Sequence, residues 1–173
     1  MRELMPNVDV VIGNEEDASD IFGISAAGTD VQKGDLAIER YPDVAARLIR
    51  LFPNITTVAI TLRVSLSAGH NNWGAMLYDA ASGAVAFAPM VDGVYRPYQI
   101  RNIVDRIGGG DAFAAGLIFA LTDTAMGKDL QSAVSYAAAA SCLCHSIEGD
   151  FNYVTKEEIL ALVKGEASGR VRR

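Results

Sequence analysis

"VDVVIGNEEDASDIF", residues 8–22, is the stretch that decides the fold class. Its first six residues, Val8 to Gly13, form an apolar, β-branched run without clean alternation, which is typical of a strand covered on both faces. Asn14 then predicts the N-cap of a helix, with Asp17 at the third helical position. A strand that leads directly into a helix is the start of an α/β unit.

The following segments repeat this alternation in the opposite order. "YPDVAARLIRLF", residues 41–52, has apolar residues at helical spacing and stops before Pro53, and "TVAITL", residues 57–62, predicts a second buried parallel strand. Further on, "WGAMLYD" and "AVAFAPM" predict a β-hairpin whose turn contains Gly83. We therefore expect an α/β fold with a small sheet to which a hairpin is added.

Three helices are predicted in the second half of the chain, from about Gly109 to Leu121, Asp129 to His145 and Lys156 to Val163. The middle helix contains the run "YAAAAS", which suits close packing of a helix against a sheet. It also carries Cys142 and Cys144, whose side chains point in different directions on a helix, and no second Cys/His cluster gives zinc spacing. We expect both cysteines to be reduced core thiols.

Composition excludes several classes of protein. The chain has 173 residues, of which 50% are hydrophobic, so one domain with a sizeable core is expected. Its formal charge of -6 without a Lys/Arg block argues against a nucleic-acid surface. No apolar run approaches the roughly 20 residues of a membrane span, and the N-terminus lacks the pattern of a signal peptide. The expected location is the cytoplasm.

"DRIGGGDAFAAGLI", residues 105–118, places three glycines and a carboxylate in front of an apolar helix. A helix N-terminus carries unpaired N–H donors and a partial positive charge, and Gly108, Gly109 and Gly110 remove every side chain from the approach to them. Such a nest of N–H groups can hold a phosphate or the charge of a phosphoryl group in transfer.

Asp111 follows directly, where it could take the proton of an attacking hydroxyl as a general base. The alternative is that the glycines form a tight turn and Asp111 only complements the helix dipole, and the spacing alone leaves both open. Two other phosphate motifs are excluded, because GxxxxGK[ST] is absent and GxGxxG fails at Phe113.

"DRIGGGD" resembles the D-T-x-G-A-G-D signature of the ribokinase-like carbohydrate kinases, and its arginine and triple glycine resemble the 2-keto-3-deoxygluconate kinases. Four further motifs occur in the family's order: "GNEEDA" (13–18), "AITLR" (59–63), "NNWGAMLYD" (71–79) and "HSIEGDFNYVT" (145–155). The resemblance covers essentially the whole chain. It implies a ribokinase-like, Rossmann-like three-layer α/β/α fold, here only its C-terminal part.

The resemblance also implies a reaction and its residues. Asp111 would be the catalytic base and Gly108–Gly110 the anion hole of a kinase that uses ATP and Mg²⁺ on a keto-deoxy sugar acid. Asp105 matches the motif's first Asp, close to a site for a monovalent cation such as K⁺. Asn14 and Asp17 fall on the family's Mg²⁺-related N-x-x-E motif, and because Asp is one methylene shorter than Glu, a water-mediated contact is expected.

Five residues are implied as nucleotide contacts. Thr61 and Arg63 stand where relatives carry a glycine-containing nucleotide loop, so that a guanidinium would replace a backbone contact to an ATP phosphate. Arg106 would reach a phosphate across the anion hole, Ala138 would line the adenine pocket, and His145 would lie beside the nucleotide. Each has a structural alternative. Thr61 and Arg63 would be a strand end and a surface charge, and Arg106 a solvated loop residue. Ala138 would be core packing, and His145 a partner of the helix dipole.

In the resembled family a full chain is much longer, and the sugar is held mostly by the N-terminal half and its β lid. We therefore expect residues 1–173 to be a single C-terminal nucleotide-binding and catalytic portion, without that half, and to turn over little or no sugar alone. Its protein partner would be another copy of the chain or the missing half. Two alternatives remain open: a non-catalytic nucleotide-binding or regulatory subunit, and a kinase for another sugar or a nucleoside.

Overall fold

The structure is a computed structural model and describes residues 1–14, 16–25 and 38–165. Short 3₁₀ turns lie at Met5–Asn7, Ile38–Arg40 and Met126–Lys128. The helices and strands follow in this order along the chain: β1 (Val10–Gly13), α1 (Asp17–Phe22), α2 (Tyr41–Leu51), β2 (Thr57–Ser67), β3 (His70–Asp79), β4 (Val85–Ala88), β5 (Met90–Val91), β6 (Val94–Tyr95), β7 (Tyr98–Arg101), α3 (Gly109–Thr122), α4 (Leu130–Cys144) and α5 (Lys156–Val163).

Five strands form one mixed sheet in the order β1-β2-β3-β4, with β7 also paired to β3. Strand β1 runs parallel to β2, whereas β2, β4 and β7 are all antiparallel to β3. Strands β4 and β7 share one edge of β3, because β4 pairs with its second half and β7 with its first half. Strands β5 and β6 form a separate two-stranded ribbon between β4 and β7.

The sequence predicted the strands correctly in part. The parallel pair and the hairpin are confirmed, with Tyr78 opposite Val85 and Gly83 at a φ of 70° in the turn. The prediction that Val8 to Gly13 is covered on both faces is wrong, because β1 ends the strand order and all four of its residues are partly or largely exposed. Strand β2 is also longer than predicted, since it continues to Ser67 along β3.

The predicted helices are confirmed to within a residue or two of their ends. Helix α5 begins with a capping box formed by Thr155 and Glu158. Asn14, however, is not the N-cap residue, because α1 begins only at Asp17. Its side chain still caps the turn, since Asn14 Oδ1 accepts the N–H groups of Glu16 and Asp17 at 2.7 and 3.0 Å.

The core lies in two layers, one on each face of the sheet. Alternate residues of the central strands point to opposite faces, so Ala59 and Leu77 meet α3 and α4, while Ile60 and Met76 meet α2. The alanines of α4 let it approach the sheet closely, as predicted. Helices therefore cover both faces, and the expected three-layer α/β/α arrangement is confirmed.

The two cysteines are free thiols, as predicted, and Cys144 is buried whereas Cys142 is half-buried. Burial raises the pKa of Cys142 to about 12, and the pKa of Cys144 is raised by burial and by the charges of nearby carboxylates. Both thiols are therefore protonated at neutral pH. Within the described ranges, no helix combines the length and the apolar character that crossing a membrane requires.

Candidate active site

A cavity of about 160 Å³ lies between the N-terminus of α3 and the sheet. It brings together seven residues that the sequence predicted for the site and two, Asn71 and Trp73, that it did not. The lining residues are Asn14, Thr61, Arg63, Asn71, Trp73, Arg106, Gly109, Gly110 and His145.

The strand register explains why four of these side chains meet. In the β2–β3 pair Arg63 lies opposite Trp73. Because side chains alternate between faces, Thr61, two residues before Arg63, and Asn71, two residues before Trp73, share that face. Strand β1 ends beside them at Gly13, so Asn14 follows at its carboxyl end. Ligands of open α/β sheets bind at this end of the strands.

The three glycines meet different surroundings. Gly108 has a φ of 75°, and a Cβ there would lie 2.9 Å from both the carbonyl oxygen and Oδ1 of Asp150. At Gly109 a Cβ would lie 3.0 Å from Cε1 of His145, whereas at Gly110 it would meet no atom within 4 Å. The first two glycines are therefore required by packing and backbone conformation, and the third leaves the cavity accessible.

The start of α3 offers unused donors to the cavity. The N–H of Ala112 donates to the carbonyl of Gly108 at 2.7 Å, which is the first hydrogen bond of the helix. The N–H groups of Gly109, Gly110 and Asp111 precede it and have no acceptor within the helix. Together with the helix dipole they suit an anion at this point.

Ser141 of α4 fixes the orientation of these donors. Its side chain is fully buried, and its hydroxyl donates to the carbonyl of Gly109 at 2.6 Å. That carbonyl belongs to the same planar peptide unit as the N–H of Gly110. The hydrogen bond therefore sets the direction of the Gly110 N–H.

His145 closes the cavity at the end of α4 and is only 3% exposed. Its Nδ1 lies 2.8 Å from the Ser141 carbonyl, which can only accept, so Nδ1 carries the proton and Nε2 of the neutral ring is an acceptor. Burial lowers the pKa of His145, and the charges of Arg106 and Arg63 act in the same direction against the Ser141 hydrogen bond. The ring is therefore neutral at neutral pH.

Arg106 is anchored in the structure, unlike a solvated loop residue. Its Nη2 donates to the carbonyls of Ser67 and Ala68 at 3.0 and 2.6 Å, which ties the loop before α3 to the turn between β2 and β3. Arg63 lines the same cavity from the sheet, and Thr61 reaches the Gly13 carbonyl at 3.4 Å. Two arginine side chains thus line the same cavity as the start of α3.

Asp105 organises the loop that precedes the glycines. One carboxylate oxygen accepts the N–H groups of Arg106 and Ile107 at 2.7 and 3.0 Å, and the other accepts that of Gly149 at 3.0 Å. These hydrogen bonds, that of Ile107 first, lower the pKa of Asp105. Asp105 does not line the cavity, and a monovalent cation there would share oxygens that already accept backbone N–H groups.

The carboxylates predicted for catalysis and for metal lie at the margin of the cavity. Asp111 is exposed on the first turn of α3 and is not among the lining residues. Asp17 accepts the N–H of Asn14 at 2.6 Å and lines a neighbouring cavity of about 350 Å³. In the described part of the chain no three His, Cys, Asp or Glu side chains cluster to hold a metal. The water-mediated contact of Asn14 and Asp17 with Mg²⁺ stays a prediction.

Comparison with known proteins gives a family match over part of the chain. Residues 75–155, which include the glycine stretch and Asp111, match the pattern of the pfkB family carbohydrate kinase. The family consists of phosphotransferases, in agreement with the donors and guanidinium groups around the cavity.

Known proteins resemble more of the chain. The crystal structure of 2-dehydro-3-deoxygluconokinase from Thermotoga maritima is 41% identical, covers 94% of this chain and 43% of that protein, and has a TM-score of 0.77. The 2-dehydro-3-deoxygalactonokinase of Haloferax volcanii is 31% identical over 74 residues, which make up 43% of this chain and 22% of that protein.

A third comparison concerns the fold alone. The ribokinase structure from Thermotoga maritima is 18% identical, covers 95% of this chain and 45% of that protein, and has a TM-score of 0.57. The predicted ribokinase-like fold is confirmed. The chain spans less than half the length of each of these three relatives.

Three residues lie differently with respect to the cavity from what the sequence indicated. Ala138 has no exposed surface and packs in the core of α4 and the sheet, so as a wall of the nucleotide site it would need the surrounding elements to move. Asn71 and Trp73 line the cavity, although the sequence indicated them only as part of a motif. Because they are two residues apart on one strand, their side chains share a face. That this face is the one that carries Arg63 follows only from the β2–β3 register.

Proposed function

We propose that this chain forms the phosphoryl-transfer part of an ATP-dependent kinase that phosphorylates 2-keto-3-deoxygluconate to its 6-phospho product. The observation that carries the proposal is the cavity that Gly109 and Gly110, at the start of α3, line together with Arg63 and Arg106. The Thermotoga maritima and Haloferax volcanii relatives, which are both named as kinases of keto-deoxy sugar acids, support the substrate class.

In the proposed reaction, Asp111 accepts the proton of the attacking sugar hydroxyl. The hydroxyl oxygen forms a bond to the γ-phosphorus of ATP, and the bond between that phosphorus and the bridging oxygen breaks to release ADP. The N–H groups of Gly108–Gly110 stabilise the negative charge on the transferred group because they are already oriented by the fold. Asp111 suits this task because it is exposed on the same helical turn.

The remaining residues hold the phosphate chain. Arg63 and Arg106 pair with its oxygens, and His145 stays neutral and presents Nε2 as an acceptor beside them. A Mg²⁺ ion supplies further charge neutralisation when bound. Asn14 is placed to contact it through water, with Asp17 fixing the Asn14 backbone. Asp105 shapes the loop close to the proposed site for a monovalent cation such as K⁺.

The sugar contacts are proposed to come mostly from the part of such a kinase to which this chain does not align. The aligned region is 43% of the Thermotoga maritima enzyme. We accordingly propose that residues 1–173 act as one C-terminal nucleotide-binding and catalytic portion in the cytoplasm. Its partner is a complementary N-terminal portion or a second copy of the chain, joined at the exposed edge of β1.

The test compares the chain alone with the chain joined to the N-terminal portion of a pfkB kinase. We expect the chain alone to bind ATP in calorimetry, and the joined form to release ADP only with 2-keto-3-deoxygluconate. Asp111→Asn should abolish ADP release while ATP binding persists. ATP binding without turnover in the joined form would favour a non-catalytic subunit, turnover with another sugar would correct the substrate, and absence of ATP binding would overturn the proposal.

A further inference from the structure

Two residues that line the sheet side of the cavity each carry a polar atom that has no partner in the described part of the chain. Trp73 is 5% exposed and Asn71 is 1% exposed, and both line the cavity. Neither Nε1 of Trp73 nor Oδ1 of Asn71 makes a hydrogen bond in the described part of the chain. Buried polar groups are nearly always paired, so an unpaired donor and an unpaired acceptor in one cavity call for a ligand.

Both side chains are held firmly in this position. The segment that carries them pairs on both sides, since Asn71 lies opposite Ser65 of β2 and Ile100 of β7. The indole of Trp73 packs against the ring of His145, with centroids 4.9 Å apart. The backbone of Asn71 is therefore fixed by two neighbouring strands, and the indole of Trp73 cannot turn away without losing its packing against His145.

Charge and size indicate what kind of group fits. The charged side chains that the structure describes around the cavity are Arg63 and Arg106, and no Asp or Glu is among its described lining residues. Its volume of about 160 Å³ equals that of a few waters at ~30 Å³ each, which is enough for a phosphate group but not for a whole nucleotide. A small anion that also carries a proton or a bound water fits both unpaired atoms, because its oxygen can accept the N–H of Trp73 and its proton or water can donate to Oδ1 of Asn71.

We propose that Asn71 and Trp73 form a phosphate subsite on the sheet, opposite the N-terminus of α3, for a nucleoside polyphosphate. Trp73 donates its indole N–H to a phosphate oxygen, and Asn71 Oδ1 accepts from a water bound to the same phosphate. The subsite rests on the proposed function, because that function supplies the polyphosphate. The phosphate group is thereby held from two sides, by backbone N–H groups of α3 and by side chains of β3.

The sequence contains one tryptophan, so indole fluorescence reports directly on this subsite. The chain is titrated with ADP, pyrophosphate and inorganic phosphate, and adenosine serves as the uncharged control. We expect a saturable change of emission with ADP and pyrophosphate and none with adenosine. A change with inorganic phosphate as strong as that with ADP supports the subsite and assigns it to free phosphate.

Variants test each side chain by calorimetry with pyrophosphate. Trp73→Phe keeps an aromatic ring against His145 but removes the N–H, and we expect about tenfold weaker binding. Asn71→Asp places a negative charge in the cavity and should weaken binding at least as much. Asn72→Ala is the matched control, since Asn72 lies on the same strand but outside the lining residues, and its affinity should equal that of the unmodified chain.

The outcomes separate the two proposals. If the unmodified chain binds neither ADP nor pyrophosphate, the proposed function itself fails. If it binds them while indole emission stays constant and Asn71→Asp binds as well as Asn72→Ala, the subsite is wrong and the proposed function stands. Circular dichroism establishes that each variant is folded, and the emission of the unmodified chain together with Asn71→Asp decides the case if Trp73→Phe does not fold.

Discussion

Replacing Gly110 with alanine is expected to stabilise the protein while it weakens phosphate binding. Gly110 lies in the first turn of α3, and a Cβ there would meet no atom within 4 Å. Alanine in a helix is more stable than glycine by about 0.5–1 kcal/mol, because glycine loses more backbone freedom on folding. The added methyl group would point into free space at the edge of the cavity, where it obstructs the N–H of Gly110.

The loss of affinity follows from the same geometry. A hydrogen bond to a charged group contributes about 1.5–3 kcal/mol, and each 1.4 kcal/mol changes a dissociation constant about tenfold. Obstructing one such bond should therefore weaken pyrophosphate binding by at least about tenfold. Urea unfolding followed by Trp73 fluorescence measures stability, and calorimetry with pyrophosphate measures affinity.

Gly108→Ala is the matched comparison and should have the opposite effect on stability. Its φ of 75° costs alanine roughly 1–2 kcal/mol, and its Cβ would also approach the carbonyl of Asp150 at 2.9 Å. The reasoning is refuted if Gly110→Ala lowers the free energy of unfolding, or if it raises that free energy and leaves pyrophosphate affinity unchanged.

Three further predictions concern α3, α4 and the sugar reaction. Ser141→Ala removes a buried hydrogen bond to the carbonyl of Gly109, which keeps only its bond within the helix, so the free energy of unfolding should fall by about 0.5–1.5 kcal/mol in urea titrations and pyrophosphate should bind more weakly, whereas unchanged stability would contradict the contribution of the hydrogen bond. The pKa of His145 is lowered in the folded state, so the unfolded chain binds a proton at higher pH than the folded chain does. The free energy of unfolding should therefore decrease as pH falls below about 6.5. The urea midpoints at pH 8 and pH 5 should differ less in His145→Gln than in the control His70→Gln. In the chain joined to an N-terminal portion, Asp111→Asn should lower kcat by at least about a hundredfold with little change in ATP affinity, and retained turnover would exclude Asp111 as the base.

Local signals predicted most of the secondary structure. The helix predicted from about Lys156 to Val163 has these bounds in the structure, where the Thr155–Glu158 capping box fixes its start within a few positions. The glycine stretch was likewise placed correctly at the start of α3. These features depend on neighbours within one or two turns of chain, which a sequence displays directly.

Features that depend on distant partners were missed. The exposure of β1 follows from its place at the end of the sheet, which no local pattern of Val8 to Gly13 reveals. Asn71 and Trp73 reach the cavity only because the long β2 pairs with β3 in one particular register. The hydrogen bond of Ser141 joins residues that are 32 positions apart, and its alanine-rich surroundings gave no sign of a polar role.

The close contact between α3 and α4 has a consequence for motion. A Cβ at Gly116 would lie 3.1 Å from Ala137 Cα and Ala140 Cβ, so the backbones of the two helices are nearly in contact. Helices packed this tightly cannot slide without collision, so they move as a single rigid body. The glycine donors on one helix and His145 on the other then keep a constant spacing. Any opening or closing around a substrate therefore leaves the two helices in the same position relative to each other.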